Sequence, residues 1–252
     1  MDEIKDCINI LKKANNGYSF YDLNEFDTFR SLMNVTMPYD LPDEYYIKQD
    51  IVLQEIKKNR TIIDVNDLPI LRDKVCLVIA DITTLKVDAV VNACNNELLG
   101  CFNPLHKCVD NAIHSYAGLE VRRDLMYIMA KQGYLEPNGR VKVTKGYNLD
   151  AKYIFHTVGP IINGEPTEED EEDLASCYIS CLNKADELQL ESIAFSCIST
   201  GIYGYDIYEA SCVAVRSVHF WVKDHPNTSI KRIIFDTFSK KDYDAYAILF
   251  EE

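Results

Sequence analysis

"DAVVNACNNELLGCFNPLHKCVDNAIH", residues 88–114, starts as a strand and ends as a helix. Residues 88–95 form a nearly continuous apolar run, the pattern of a strand covered on both faces. From Val109 a helical pattern extends over about 109–132. The loop between them gathers Cys101, His106 and Cys108. A buried strand that feeds a helix through a short loop is a repeating unit of layered α/β sheets.

Outward from this stretch the same alternation continues. Residues 74–81, 152–159, 192–199 and 230–238 read as strands, and 140–149 alternates like an edge or hairpin strand. Helical patterns occupy about 170–188 and 206–224. The order implies a three-layer α/β/α architecture with a mixed central sheet. Residues 1–68 are polar and mostly helical in pattern. Ile4, Ile8 and Leu11 share one face, and a later helix entered at "LPDE" carries Ile47, Ile51, Leu53 and Ile56. A helical N-terminal extension, 1–68, therefore precedes an α/β domain, 69–252. The acidic run 163–173 suits a solvated helix start.

Open α/β sheets bind ligands beyond the carboxyl ends of their strands. Three strand ends carry chemistry. At "ADIT", Asp81 suits either a base edge or a cap on the turn that follows. "SCISTGIYGYD", 196–206, places two glycines in a strand-to-helix turn. Backbone amides there suit a pyrophosphate, although an ordinary tight turn reads the same way. The third strand end is the C-x4-H-x-C loop. Thiolates with an imidazole favour zinc. A catalytic site with three ligands and an open position, a closed structural site, unligated thiols and a redox pair of Cys101 with Cys108 all remain open at this point. Asp110 and His114 are the nearest further donors, and three ligands is the preferred count.

Taken in order, "ADIT", "VDAVVNACNNELLG", "VDNAIH", "YIFHTVGP" and "SCISTGIYGYD" resemble a macrodomain, the ADP-ribose-binding fold, over roughly residues 74–240. Where hydrolytic macrodomains carry a run of glycines, this chain has "CFNPLHKC". That departure resembles the zinc-dependent class, some members of which accompany microbial sirtuin-type ADP-ribosyltransferases. The resemblance implies one zinc ion held by Cys101, His106 and Cys108. It implies Asn95 and Asp110 as catalytic groups, with Asn95 also holding the distal ribose. Asp81 and Ile82 would read the adenine. Ser199, Thr200, Gly201, Ile202, Tyr203 and Gly204 would hold the diphosphate, and Phe238 would stack on the base. Ala80 departs from the family's usual glycine. The activity implied is zinc-dependent removal of ADP-ribose from protein side chains by a monomer. Hydrolysis of O-acetyl-ADP-ribose and non-catalytic ADP-ribose reading are the alternatives.

Composition limits the rest. The chain has 252 residues, 47% of them apolar, and a net charge of −14. That charge disfavours phosphate backbones and anionic membranes as partners. No apolar run reaches membrane-spanning length, and the amphipathic, acidic start does not look like a secretory signal. The nine cysteines follow no framework. Cys76, Cys197 and Cys212 lie within apolar runs, so the expectation is reduced, buried thiols in a cytoplasmic protein.

Overall fold

The computed structural model describes residues 2–20 and 22–251. It opens with three helices, α1 (Asp2–Ala14), α2 (Glu25–Val35) and α3 (Asp43–Lys58). They pack on one another around Ile4, Leu11, Phe29, Leu32, Tyr45 and Val52. Half of the face expected for α3 is buried: Leu53 turns inward and Ile56 packs on the bundle. Ile47 and Ile51 are exposed, while Tyr45, Gln49 and Val52 turn inward. The two tyrosines at the start of α3 bring more apolar area to the bundle than the isoleucines would, so they set the rotation of the helix.

The sheet follows. Its strands are β1 (Ile63–Asp64), β2 (Val75–Ile79), β3 (Leu85–Ala93), β4 (Val141–Lys145), β5 (Ala151–Thr157), β6 (Ser192–Phe195) and β7 (Arg232–Thr237). Their order is β2-β7-β6-β3-β5-β4, and β1 pairs with the start of β3. Among the described residues only the β4–β5 pair is antiparallel, so the sheet is mixed, with the alternating segment as its edge strand. Successive residues of each strand feed opposite cores, as the period of two requires. Ala89, Val91, Phe195 and Phe235 face α6 (Glu168–Glu187), α7 (Ile207–Asp224) and α8 (Lys240–Ala247). Val90, Ile154, Ala194 and Ile234 face α4 (Val109–Ala117) and α5 (Leu119–Gln132).

The single helix expected over 109–132 is two, broken at Gly118. Its φ of +105° lies outside the helical region. A Cβ there would fall 2.4 Å from the Gln49 amide, which reaches across from α3. The break lets Gln49 cap the new helix, because its Oε1 accepts from the Leu119 N–H at 2.8 Å. The strand expected over 192–199 stops at Phe195, and residues beyond it line the pocket described below. Cys212 is exposed rather than buried, since it shares the outer stripe of α7 with Arg216 and His219. Cys76 is buried and Cys197 is half-buried. Among the described residues, no helix is long and apolar enough to cross a membrane.

Candidate functional site

Parallel pairing points β2, β7, β6 and β3 the same way, so their carboxyl ends share one edge of the sheet. A pocket of about 730 Å³ opens there. Asp81 and Ile82 line it from the end of β2, and Asn95 from the end of β3. Ser199, Thr200, Gly201, Ile202 and Tyr203 come from the loop after β6, and Phe238 from the end of β7. Cys101, Lys107, Cys108 and Asp110 add to the wall from the loop after β3 and the start of α4. Of the residues singled out in the sequence, Gly204 and His106 lie off the pocket lining. Gly204 closes the loop turn with a φ of +76°, and its N–H donates to the Gly201 carbonyl.

The C-x4-H-x-C residues converge. The Cys101 Sγ lies 3.6 Å from the His106 Nδ1, and the three donor atoms of Cys101, His106 and Cys108 fall within 4.8 Å of one another. Zinc bonds of about 2.3 Å to sulfur and about 2.0–2.1 Å to nitrogen, set tetrahedrally, separate S and N by roughly 3.6 Å. The Cys101–His106 separation therefore matches that of two zinc ligands, Cys108 stands close enough to be the third, and two thiols with an imidazole are a donor set that suits zinc. Neither Asp110 nor His114 joins the cluster, so among the described residues the ligand count is three. Cys108 has a second job. It is the N-cap of α4, and its Sγ accepts from the Asn111 N–H at 3.4 Å. Burial pushes its thiol up to about 12.

Asp110 sits in the first turn of α4 and is 4% exposed. Its Oδ1 accepts from the Asn92 Nδ2 at 2.8 Å and lies 3.4 Å from the His114 Nε2. Burial lifts its carboxyl to about 6, opposed by the Asn92 bond and the nearby Arg122 charge. His114 is held neutral by burial and by Arg122. Asn95 shapes the turn after β3. Its Oδ1 accepts from the Glu97 N–H and its Nδ2 donates to the Gly100 carbonyl.

Asp81 caps the turn after β2, with Oδ1 accepting from the Thr83 N–H at 3.0 Å. It also meets the Arg60 guanidinium at 2.6 Å. Arg60 reaches in from just beyond α3, bonds the Thr83 hydroxyl and lies over the Tyr116 ring at 3.9 Å. The 199–204 loop does not use a helix start as its anion site. Asp206 caps α7 and already accepts from the Tyr208 and Glu209 amides. The free donors are in the loop itself, where no described residue accepts from the N–H groups of Gly201, Ile202 or Tyr203. A Cβ on Gly201 would meet nothing within 4 Å.

Asp236 is a pocket residue that sequence reasoning missed. It stands on β7 two residues before Phe238, so a period of two puts both side chains on one face. It is 7% exposed, and its Oδ1 has no partner. Burial, then the Asp81 charge, raises its carboxyl to about 8. At neutral pH it is a carboxylic acid, able to donate as well as accept. A raised folded-state pKa means that the fold holds a proton the unfolded chain has released. This contribution to stability is complete below about pH 4 and is lost as pH rises through about 8. Asp236→Asn should flatten the fall in stability between those limits, by up to about 1.4 kcal/mol for each pH unit. Urea unfolding of both proteins from pH 4 to 9 measures it. Parallel curves would mean that Asp236 is ionised in the fold.

The Macro domain model matches residues 91–214. A protein-ADP-ribose hydrolase of Staphylococcus aureus (strain COL) is 44% identical over 230 residues, covering 90% of this chain and 85% of its own length. A protein of the same name from Treponema medium is 43% identical over 221 residues, 86% of this chain and 84% of its own. Among solved structures, the Oceanobacillus iheyensis macrodomain with ADP is similar at a TM-score of 0.64 and 35% identity, covering 71% of this chain and 90% of that one. The Trypanosoma brucei macrodomain in complex with ADP-ribose is similar at 0.66 and 27%, covering 87% and 94%.

Proposed function

The chain belongs to the macrodomain family, and on that footing we propose that it is a zinc-dependent hydrolase that releases ADP-ribose from modified protein side chains. The observation that carries the reading is the metal trio, whose two cysteines line the same pocket as Asp81, Asn95 and residues 199–203, with His106 just behind them. A protein that only read ADP-ribose would have no use for that trio. The protein-ADP-ribose hydrolases with 43–44% identity support the same reaction class.

Each group has a task in this reading. Asp81 and Ile82 hold the adenine edge, and Phe238, 79% exposed at the pocket rim, is free to cover the ring. The open amides of Gly201, Ile202 and Tyr203 accept the diphosphate, with Ser199, Thr200 and Gly204 shaping the turn around it. Asn95 fixes the distal ribose. Hydrolysis breaks the bond from the anomeric carbon to the modified side chain. Water supplies the new hydroxyl, and its proton ends on the departing group. Asp110, anchored by Asn92, orients that water or takes its proton. Zinc held by Cys101, His106 and Cys108 would supply a Lewis acid beside the ribose. Two thiolates balance its charge, which favours orienting the sugar over strong activation.

The macrodomain core in this reading is residues 69–252, with 1–68 an extension, and the protein works as a monomer in the cytoplasm. A functional pairing with a sirtuin-type ADP-ribosyltransferase is part of the same proposal. The test is direct. The purified protein should hold about one zinc. Tried on proteins modified at Asp or Glu, at Ser and at Arg, it should release ADP-ribose from at least one of them, lose that activity to a chelator, and recover it with zinc. Full turnover by metal-free protein would overturn the zinc role, and no release from any linkage would overturn the hydrolase.

A further inference from the structure

We infer that the N-terminal helices set the geometry of the Cys101–Cys108 loop, with Arg30, Asn34 and Arg122 as positioning residues for the metal ligands; the inference rests on the metal reading above. Each ligand lies within three residues of a group that these side chains hold. The Asn34 Oδ1, in α2, accepts from the Leu105 N–H at 3.0 Å, one residue before His106. Leu105 has a φ of +55°, a strained conformation for a branched residue that an outside bond helps to keep. Arg30, one turn earlier on α2, donates from Nη2 to the Asn111 Oδ1 at 3.0 Å. Asn111 in turn donates its N–H to the Cys108 Sγ and its Nδ2 to the Asn103 carbonyl at 3.0 Å. The hydroxyl of Ser115, fully buried, accepts from both Arg30 and Asn34 and ties the pair to α4.

Arg122 completes the frame. It is fully buried on α5, and among the described residues no carboxylate pairs with it. Its Nε donates to the Leu99 carbonyl at 2.6 Å, two residues before Cys101. Its Nη1 donates to the Met33 and Thr36 carbonyls at 2.8 and 2.6 Å. Those two carbonyls sit at the carboxyl end of α2, where the helix dipole favours a cation. The guanidinium also lies 4.4 Å from the centre of the Phe102 ring. Without α2 the charge would lose two of its three acceptors, and a buried charge without acceptors is not tolerated. The helices, the loop and the buried charge therefore stand together. Metal ligands are oriented in the same way by the groups that hold them from outside.

The test uses the full chain. Asn34→Ala and Arg30→Ala should fold, as circular dichroism would show. They should speed hydrogen exchange of segment 99–108 at least 10-fold, release zinc at least 10-fold faster, and shift the thiolate and ligand-field bands of the cobalt-substituted protein. Leu11→Ala, in the core of the same helices but away from the loop, should lower the melting temperature and leave loop exchange and the cobalt bands unchanged. Wild-type exchange in 99–108 for both first variants, or the same changes from Leu11→Ala, would overturn the inference. If the wild-type protein takes up neither zinc nor cobalt, the metal reading falls and hydrogen exchange alone decides the positioning.

Discussion

Cys101→Ala, His106→Ala and Cys108→Ala are each expected to purify without zinc and to lose nearly all turnover. Changes to outer-shell partners already cost about 10–100-fold in metal affinity or activity, and loss of a ligand exceeds that. The Cys108 variant needs care, because that residue is also the N-cap of α4. Loss of a cap costs about 0.5–2 kcal/mol of stability, which could pass for a catalytic defect in a fragile variant. Cys108→Ser separates the two roles. Its hydroxyl caps the helix as well as sulfur does, yet it replaces a soft thiolate ligand. The expected result is a protein as stable as the wild type that lacks zinc and turnover. A Cys108→Ser variant with normal turnover would mean that the thiol serves only the helix.

Asp110→Ala is expected to keep zinc and ADP-ribose affinity and to lose turnover, the signature of an interaction made only in the transition state. Two competing roles have a structural answer. A fourth metal ligand is one and a helix cap the other: Asp110 lies outside the ligand cluster, and the N-cap of α4 is Cys108. What remains is a buried carboxylate held by Asn92 on the pocket wall. Asp110→Asn preserves the shape and should be as inactive as the alanine variant. Metal content, calorimetric affinity for ADP-ribose and single-turnover rates on one preparation decide the matter. Zinc lost along with activity would make Asp110 a ligand after all, and unchanged rates would remove it from the chemistry.

The parts of this molecule that could be read from sequence are those whose signal is local. A nearly continuous apolar run such as 88–95 announces a doubly covered strand, and the alternation in 140–149 announces an edge. Cys101, His106 and Cys108 were legible because metal donors of the right softness stand within eight residues. What escaped depends on contacts across the chain. Gln49 ends a helix at Gly118, 69 residues away, and no local propensity encodes that. Ile47 and Ile51 promised a buried face until two tyrosines claimed the rotation. Cys212 reads as buried because Val213, Ala214 and Val215 follow it directly, but on the helix it falls on the outer stripe with Arg216 and His219. Asp236 stood in plain view in "IIFDTF", but only the folded sheet turns its carboxyl inward beside Asp81. At Asp81 the sequence is compatible with both a cap and a ligand contact. Asp81 does cap the turn, and it also carries the Arg60 pair.

If the three unclaimed amides of Gly201, Ile202 and Tyr203 hold the diphosphate as proposed, with Lys107 as the one lysine of the pocket lining among the described residues, a kinetic consequence follows. A grip made of neutral peptide dipoles is short-ranged and does not weaken with ionic strength as one made of lysines would. The surrounding protein, at −14, repels an anion long before those dipoles can act. In that reading the salt-sensitive event is the approach of the ligand rather than its retention. Screening by salt should hasten arrival while leaving the residence time nearly constant, the reverse of what basic nucleotide pockets do.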